Sequence, residues 1–294
     1  MQKNSKGILY ALLASVIYGI VPLTSKMIIE DGVISEASML GWRFLFASLL
    51  AMIVVIVKRV PARPTARQFT ELFLYGVFGT LMVSLLLTRS YRYIDLGLAT
   101  VCHFFYPIAV SLIMRLVYKE RLSDKGQFAV LMTALALVVL IFSTGLQSLK
   151  GMLIAVISGV FWAVYLIAFD KASYAEMDQN AAVCWIMGGN AVLFLLMSVL
   201  DGTFIIPGMN RIGLIVLSAG MMVGAMLLTV KAISLCGPTM TAFISLFEPI
   251  TAVVTDMIVY HAFPGIMQTA GYLMMAVAII LITMKDEEAV HDTE

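Results

Sequence analysis

The 294-residue sequence predicts an all-α integral membrane protein of ten transmembrane helices, arranged as two inverted five-helix repeats. Three observations carry that expectation: a composition too apolar for a soluble domain, ten separate apolar stretches of spanning length, and two internal sequence matches. Hydrophobic residues make up 61% of the chain and charged residues 13%, with mean hydropathy +0.99. Ordinary soluble domains run at roughly 45–50% and 25%.

A spanning helix needs about 20 apolar residues, and the stretches fall at 7–29, 37–57, 68–88, 96–117, 126–143, 150–169, 181–200, 210–232, 238–259 and 264–284. Nothing sizeable remains for a soluble domain. The first follows Lys3 and Lys6 but runs on to Ile29 without a clear small-residue cleavage site before Lys26, so it reads as a span rather than a cleaved signal peptide. The fifth is short for a span. The eighth holds Gly220-Met-Met-Val-Gly224, a small-residue spacing expected to mark close helix packing. The ninth is the least regular, because Glu248, Pro249 and Asp256 interrupt its apolar run.

Loop charge orients the bundle. Thirteen Lys and Arg fall on one set of alternate loops and four on the other, with Lys26 and Arg43 set aside as intramembrane. By the positive-inside rule both termini are then cytoplasmic and the acidic loop of Glu30, Asp31 and Glu36 is external. Cys102, Cys184 and Cys236 are isolated, with spacing for neither a disulfide framework nor a zinc site. No cofactor, metal or nucleic-acid partner is expected; the expected partners are the lipid bilayer, a small-molecule metabolite and protons.

The halves repeat. KGILYALLAS at 6–15 matches KGMLIAVISG at 150–159, so that Tyr18 corresponds to Trp162. LLLTRSYRYIDLGLATVCHFFYPI at 85–108 matches MLLTVKAISLCGPTMTAFISLFEPI at 226–250, aligning Pro107 with Pro249 and Tyr106 with Glu248. Five spans is an odd number, so the halves enter the membrane in opposite senses. Substrate sites in such inverted repeats tend to lie at the repeat interface near the midplane, on interrupted helices. Tyr106 and Glu248 are about ten residues into their spans, which places both near that depth at about 1.5 Å per residue.

Glu248 is the foremost candidate. An acidic residue at a helix centre costs about 2.5 to 3.5 kcal/mol on insertion scales, so an intramembrane carboxylate beside a helix-breaking proline points to function. It could bind a proton, a substrate amine, or both in turn; the plainer reading is a structural Glu bonded to Ser245 or Thr251. Asp256, two turns on, could extend a cation or proton path, although a lone Asp at a wet outer mouth accounts for it equally. Lys26 and Arg43 need partners such as Glu30, Asp31 or Glu36, which suggests a gating or fold-stabilising ion pair; direct binding of a substrate carboxylate is the sharper alternative. His103 could relay protons or simply pack. Tyr18, Trp162, Tyr165, Tyr106 and Phe105 are placed to line a cavity wall, Tyr18 and Trp162 being too deep for an interfacial belt.

Taken with a Gly-led first span in each half, Trp42-Arg43-Phe44 in span two, Pro107 and Pro249 in spans four and nine, and KERLS at 119–123, the pattern resembles the EamA family of the drug/metabolite transporter superfamily over nearly the whole chain. The resemblance implies EamA-like repeats at 1–145 and 146–286 followed by a short polar tail at 287–294. It further implies a secondary transporter of the cytoplasmic (inner) membrane, commonly an exporter of amino acids or other small metabolites, working by alternating access around a central cavity. Glu120 matches the acidic residue the family often carries after span four; Ala262 stands at the corresponding place in the second half.

Other classes fit less well. A membrane enzyme would need convergent nucleophile, base or metal ligands, and no HExxH, paired aspartates or Gly-x-Ser-x-Gly elbow is present. A channel usually repeats its filter about an axis along the membrane normal. The absence of a Walker A sequence argues against ATP-driven transport. A facilitator, a multidrug exporter and a non-transporting receptor or scaffold stay open at this stage, as do the substrate, the transport direction and the oligomeric state.

Overall fold

A computed structural model describes residues 2–29, 32–145 and 148–284, and every regular element among them is helical. Glu30, Asp31, Lys285, His291 and the polar tail at 287–294 lie outside the described residues. Nine of the described helices are long and apolar enough to cross a membrane. The elements are α1 (Gln2–Ile29), α2 (Glu36–Lys58), α3 (Ala66–Glu71) continuing through a π-helical turn (Leu72–Val77) into α4 (Phe78–Ser90), α5 (Leu96–His103), α6 (Tyr106–Leu116), α7 (Asp124–Thr144), α8 (Leu149–Lys171), α9 (Gln179–Leu200), α10 (Met209–Ile244), α11 (Phe247–Tyr260) and α12 (Ile266–Thr283).

The fifth stretch, short on paper, is a full 21-residue helix, α7. Its start is set by Ser123, whose Oγ accepts from the Gly126 amide, and Asp178 caps α9 through the amides of Asn180 and Ala181. Such caps satisfy first-turn donors that have no partner inside the helix. Within the spans, hydroxyls bond back to their own helix, as Thr80 does to the Gly76 carbonyl and Thr133 to that of Ala129. In hydrocarbon no water is available for this task.

The element α10 is two helical pieces. Gly237, at φ 79° and ψ 166°, lies outside helical space, and contacts with α1 reveal a reversal there. Before Gly237 the chain runs antiparallel to α1, since an added Cβ at Gly7 meets Cys236 while Thr24 bonds Ser218. After Gly237 it runs parallel, since Ser15 bonds the Ile244 carbonyl and Gly19 abuts Thr251. The ninth apolar stretch is therefore shared between the end of α10 and α11.

Packing follows the repeat. α1 lies against α10 and α11 of the other half, and α8 lies against α4, α5 and α6; α2 pairs with α9 and α7 with α12. Gly7 and Gly151, equivalent in sequence, abut Cys236 and Ile94, each thirteen residues before the proline of its span. Each half thus lends its first helix to the other. The Gly220–Gly224 pair plays no such role within the chain: a Cβ at Gly224 would meet nothing within 4 Å, and one at Gly220 only Leu50 at 3.8 Å.

We call the side where α1 begins the terminal face and the opposite side, with the loops after α1 and α4, the distal face. At Gly19 a Cβ would sit 2.6 Å from Thr251 Cβ and 2.7 Å from the Glu248 carbonyl oxygen, while Gly159 approaches the His103 carbonyl as closely. Gly19→Ala and Gly159→Ala should each destabilise the protein by about 1–3 kcal/mol through overpacking. Gly224→Ala should be neutral or stabilising, because only helix propensity changes there. Thermal unfolding of the three variants in detergent checks the difference in sign.

Candidate functional site: a chamber at the helix breaks

The repeat-related prolines break their spans at equivalent places. Proline lacks an amide donor, and its ring collides with the carbonyl four residues back, here those of His103 and Ser245. The backbone answers with shorter bonds: Phe105 N to Cys102 O and Ile108 N to Phe105 O at 3.1 Å in one half, Leu246 N to Phe243 O at 3.1 Å and Glu248 N to Ser245 O at 3.0 Å in the other. Tyr106 opens α6, and Glu248 lies in the first turn of α11, which opens at Phe247.

Glu248 lines a chamber of about 210 Å³ with Tyr18 of α1, Arg43 of α2, Ser84 of α4, Trp162 and Tyr165 of α8, and Met187, Met222 and Met226 of α9 and α10. Val21, Pro22, Arg43 and Ser84 also border a second space of about 320 Å³ that reaches Glu36, Thr88 and Tyr91. Ser84, Thr88 and Glu36 in turn border a vestibule of about 420 Å³ with Arg89, Arg92 and Asp201 at the distal face. Shared lining residues thus relate the three spaces in series between that face and Glu248.

Toward the terminal face runs a ladder of aromatic rings, and a separate cavity of about 290 Å³ at that face is lined by Arg67, Glu71, Tyr75 and Lys171. Trp162 stacks on Tyr165 at 4.8 Å between ring centroids, Tyr165 meets Phe169 at 5.2 Å, and Phe169 meets Tyr174 at 5.3 Å. The last three rings are buried. Around Tyr174 the terminal face is tied by polar contacts: Lys171 Nζ bridges Glu120 at 2.8 Å and Asp170 at 3.0 Å, and the Glu71 carboxylate accepts from the Ser173 amide at 2.6 Å while pairing with Arg67 at 2.9 Å.

Among the described residues the charged groups of the chamber make few hydrogen bonds. Ser245 and Thr251, the structural partners considered for Glu248, spend their hydroxyls on the carbonyls of Thr241 and Phe247. Tyr18 and Tyr106 both lie within electrostatic reach of Glu248. The Tyr106 hydroxyl is buried beside Ser245 without a well-formed hydrogen bond. Arg43 donates from Nη1 to Ser25 Oγ at 2.8 Å and interacts with Glu36 and Tyr18, while its Nε is buried without a partner.

The structure thus brings together Glu248, Tyr18, Trp162 and Arg43, with Tyr106 and His103 just behind the wall. His103 Nδ1 bonds Ser158 Oγ at 2.9 Å and its ring lies 5.7 Å from that of Tyr106, an arrangement that a packing role accounts for. Asp256 is exposed near Tyr272 and borders neither the chamber nor the path from it. Lys26 lies on α1, but its side chain is outside the described residues. Pro107 and Pro249 are buried at the breaks. Sequence reasoning missed Asn190, wholly buried, whose Nδ2 donates to Thr80 Oγ1 at 2.7 Å and to the Ile186 carbonyl at 2.9 Å, holding α9 to α4 beside the chamber. A polar amide in an apolar span was the available signal.

Comparison with known proteins agrees with this architecture. A solved crystal structure of a protein superposes with a TM-score of 0.78 over 94% of this chain and 96% of its own, at 15% sequence identity, which speaks to the fold. A Haemophilus influenzae protein described as an uncharacterized transporter is 22% identical over 205 residues, a match covering 67% of this chain and 66% of that protein. The EamA-like transporter family matches twice, over residues 5–142 and 149–284, once for each half. With both halves matched, the chain belongs to the EamA-like transporter family and is a multi-pass membrane protein.

Proposed function

We propose that the chain is a proton-coupled secondary transporter that exports amino acids or related small metabolites by alternating access. The observation that carries this reading is the Glu248 carboxylate. It lines a chamber at the helix breaks and makes no side-chain hydrogen bond among the described residues. A carboxylate so placed can hold a proton or a substrate amine in turn, and exchange of one for the other couples the two movements. Tyr106, across the repeat axis, has a free hydroxyl to offer when the chamber rearranges. The chamber, at about 210 Å³, is below the roughly 300–1,000 Å³ of drug-sized sites, which favours a small metabolite over a bulky drug.

In this reading the helices form two five-span repeats, 1–145 and 146–286, ten crossings in all, that rock about the chamber. The polar cluster of Glu71, Glu120, Lys171 and Ser173 with its aromatic ladder is the closed gate. The neck at Arg43, with Lys26 on the same side, is where the distal gate would form. The excess of basic loops on the terminal face puts that face in the cytoplasm of a bacterial inner membrane, so the state described is open outward.

Two measurements test these points. In proteoliposomes with an imposed pH gradient and a panel of amino acids, amines and nucleosides, Glu248→Gln should cut substrate-dependent proton movement at least tenfold; unchanged coupling in the variant would refute the assignment. In a chain whose three cysteines are replaced, Ser84→Cys should react with a membrane-impermeant maleimide added from the distal face, and Tyr174→Cys should stay protected from both faces. Equal labelling of the two would contradict a path open on one side only.

A further inference from the structure

We propose that a phosphatidylethanolamine molecule lodges between α4 and α8 at the terminal face, with its head group at Arg67, Glu71 and Lys171 and one acyl chain in an apolar slot beside Phe78 and Val164. Two cavities carry the proposal. The cavity of about 290 Å³ at that face is lined by the charged residues Arg67, Glu71 and Lys171, by Tyr118, and by Tyr75 and Val164. Tyr75 and Val164 also line a second cavity of about 260 Å³, together with Leu74, Phe78, Val160 and Phe161. The first is polar and lies at the ends of the helices; the second holds no charged side chain and lies further in. In series they have the plan of a lipid. The length fits as well: Phe78 stands eleven residues beyond Arg67, and Val160 eleven before Lys171, about 16 Å along either helix at about 1.5 Å per residue. One leaflet's share of a hydrocarbon core of about 30 Å is about 15 Å. Leu74 and Phe78 are exposed on a spanning segment, so the slot faces acyl chains rather than water. It shares no lining residue with the chamber at Glu248.

The charges at the rim select the head group. Arg67 Nε meets Glu71 at 2.9 Å with the Arg67 side chain 81% exposed, and Lys171 Nζ meets Glu120 at 2.8 Å and Asp170 at 3.0 Å. In these contacts two cations stand against three carboxylates. A head group of net negative charge finds no net attraction there, whereas an aminoethyl phosphate carries both signs. Its phosphate diester meets Arg67 and Lys171, as phosphates do in basic pockets between spans, and its ammonium meets the carboxylates of Glu71 and Glu120. A choline head offers those carboxylates no N–H. Exposed ion pairs are worth little, so Arg67 can turn from Glu71 to a phosphate with small loss. Tyr75 and Tyr118 lie at the depth where phenols favour the interface, rings among apolar groups and hydroxyls toward the head groups. A lipid held in this way joins α3 and α4 to α8 and to the end of α6, the elements that carry the polar cluster of the terminal face.

The test is native mass spectrometry of the purified full-length protein titrated with phosphatidylethanolamine, phosphatidylglycerol and phosphatidylcholine of identical acyl chains. Wild type is compared with Val164→Phe, Arg67→Gln and Leu217→Phe; Leu217 is an exposed residue of α10 that lines neither cavity. We expect the wild type to hold one phosphatidylethanolamine at least fivefold more tightly than either other lipid. Val164→Phe, which fills the junction of the two cavities, should lower that affinity at least fivefold, and Arg67→Gln, which removes a phosphate contact, at least threefold. Leu217→Phe should leave it unchanged. Equal binding of the three lipids overturns the proposal, as does an unchanged affinity in Val164→Phe or Arg67→Gln, or an equal loss in Leu217→Phe. Glycerophosphoethanolamine, the same head group without chains, should bind at least tenfold more weakly; if it matches the lipid, the slot plays no part and the proposal fails. Arg67 is an exposed residue in the first turn of α3, so Arg67→Gln supplies the comparison should Val164→Phe fail to fold. The lipid site stands apart from the coupling assignment: Glu248→Gln should bind phosphatidylethanolamine as the wild type does, whatever its coupled flux.

Discussion

Every carbonyl or amide freed inside a bilayer must find a partner within the protein, because hydrocarbon offers none, and two prolines at the middle of their spans put that demand at the centre of this molecule. Pro107 and Pro249 disrupt α5–α6 and α10–α11 at equivalent points. Irregular backbone at that depth survives only where protein covers it or a cavity adjoins it. Here both happen. Gly159 of α8 closes on the His103 carbonyl, Gly19 of α1 closes on that of Glu248, and the chamber borders the break at Glu248. The exchange of α1 and α8 between halves follows from the same need, since each supplies a glycine face narrow enough to cover the other half's break.

The pseudo-symmetry ends where chemistry begins. Tyr106 and Glu248 occupy equivalent positions, yet one is a phenol and the other a carboxylate. Two carboxylates facing each other in a low-dielectric chamber would repel and share a proton; here a single carboxylate, Glu248, lines the chamber. The gates differ in the same manner. On the terminal face Glu120 pairs with Lys171 and Glu71 pins the turn at Ser173, while the second-repeat counterpart of Glu120 is Ala262. The ionic ties lie on the terminal face, and the cavities that share lining residues with the chamber lie toward the distal one.

Much of this was visible in the chain because hydrophobicity and covalent geometry are local. The apolar stretches announce spanning helices, and α7 forms at full length because Ser123 caps it and its run is unbroken. The prolines announce breaks, since a missing amide and a ring clash need no tertiary context. Glu248 stood out for the same reason: a carboxylate in an apolar run costs too much to be incidental. Other signals depend on what lies across the gap. Asp256 shares the helix of Glu248 but is exposed near Tyr272 and borders no part of the path. The Gly220–Gly224 spacing promised a tight contact and has none within the chain. Met222 and Met226 were indistinguishable from packing residues until the chamber placed them.

The sequence by itself determined the all-helical membrane class, the duplication of the chain and the place of both breaks, because each follows from hydropathy, spacing and the chemistry of proline. Only the tertiary structure decided that α1 and α8 change halves and that the chain reverses at Gly237 inside one apparent helix. It alone decided that Arg43 lines the same chamber as Glu248, and that spaces with shared lining residues run toward one face while an aromatic ladder runs toward the other. Those outcomes turn on which helix faces meet across the axis, and residues more than a hundred positions apart reveal that relation only when they are packed.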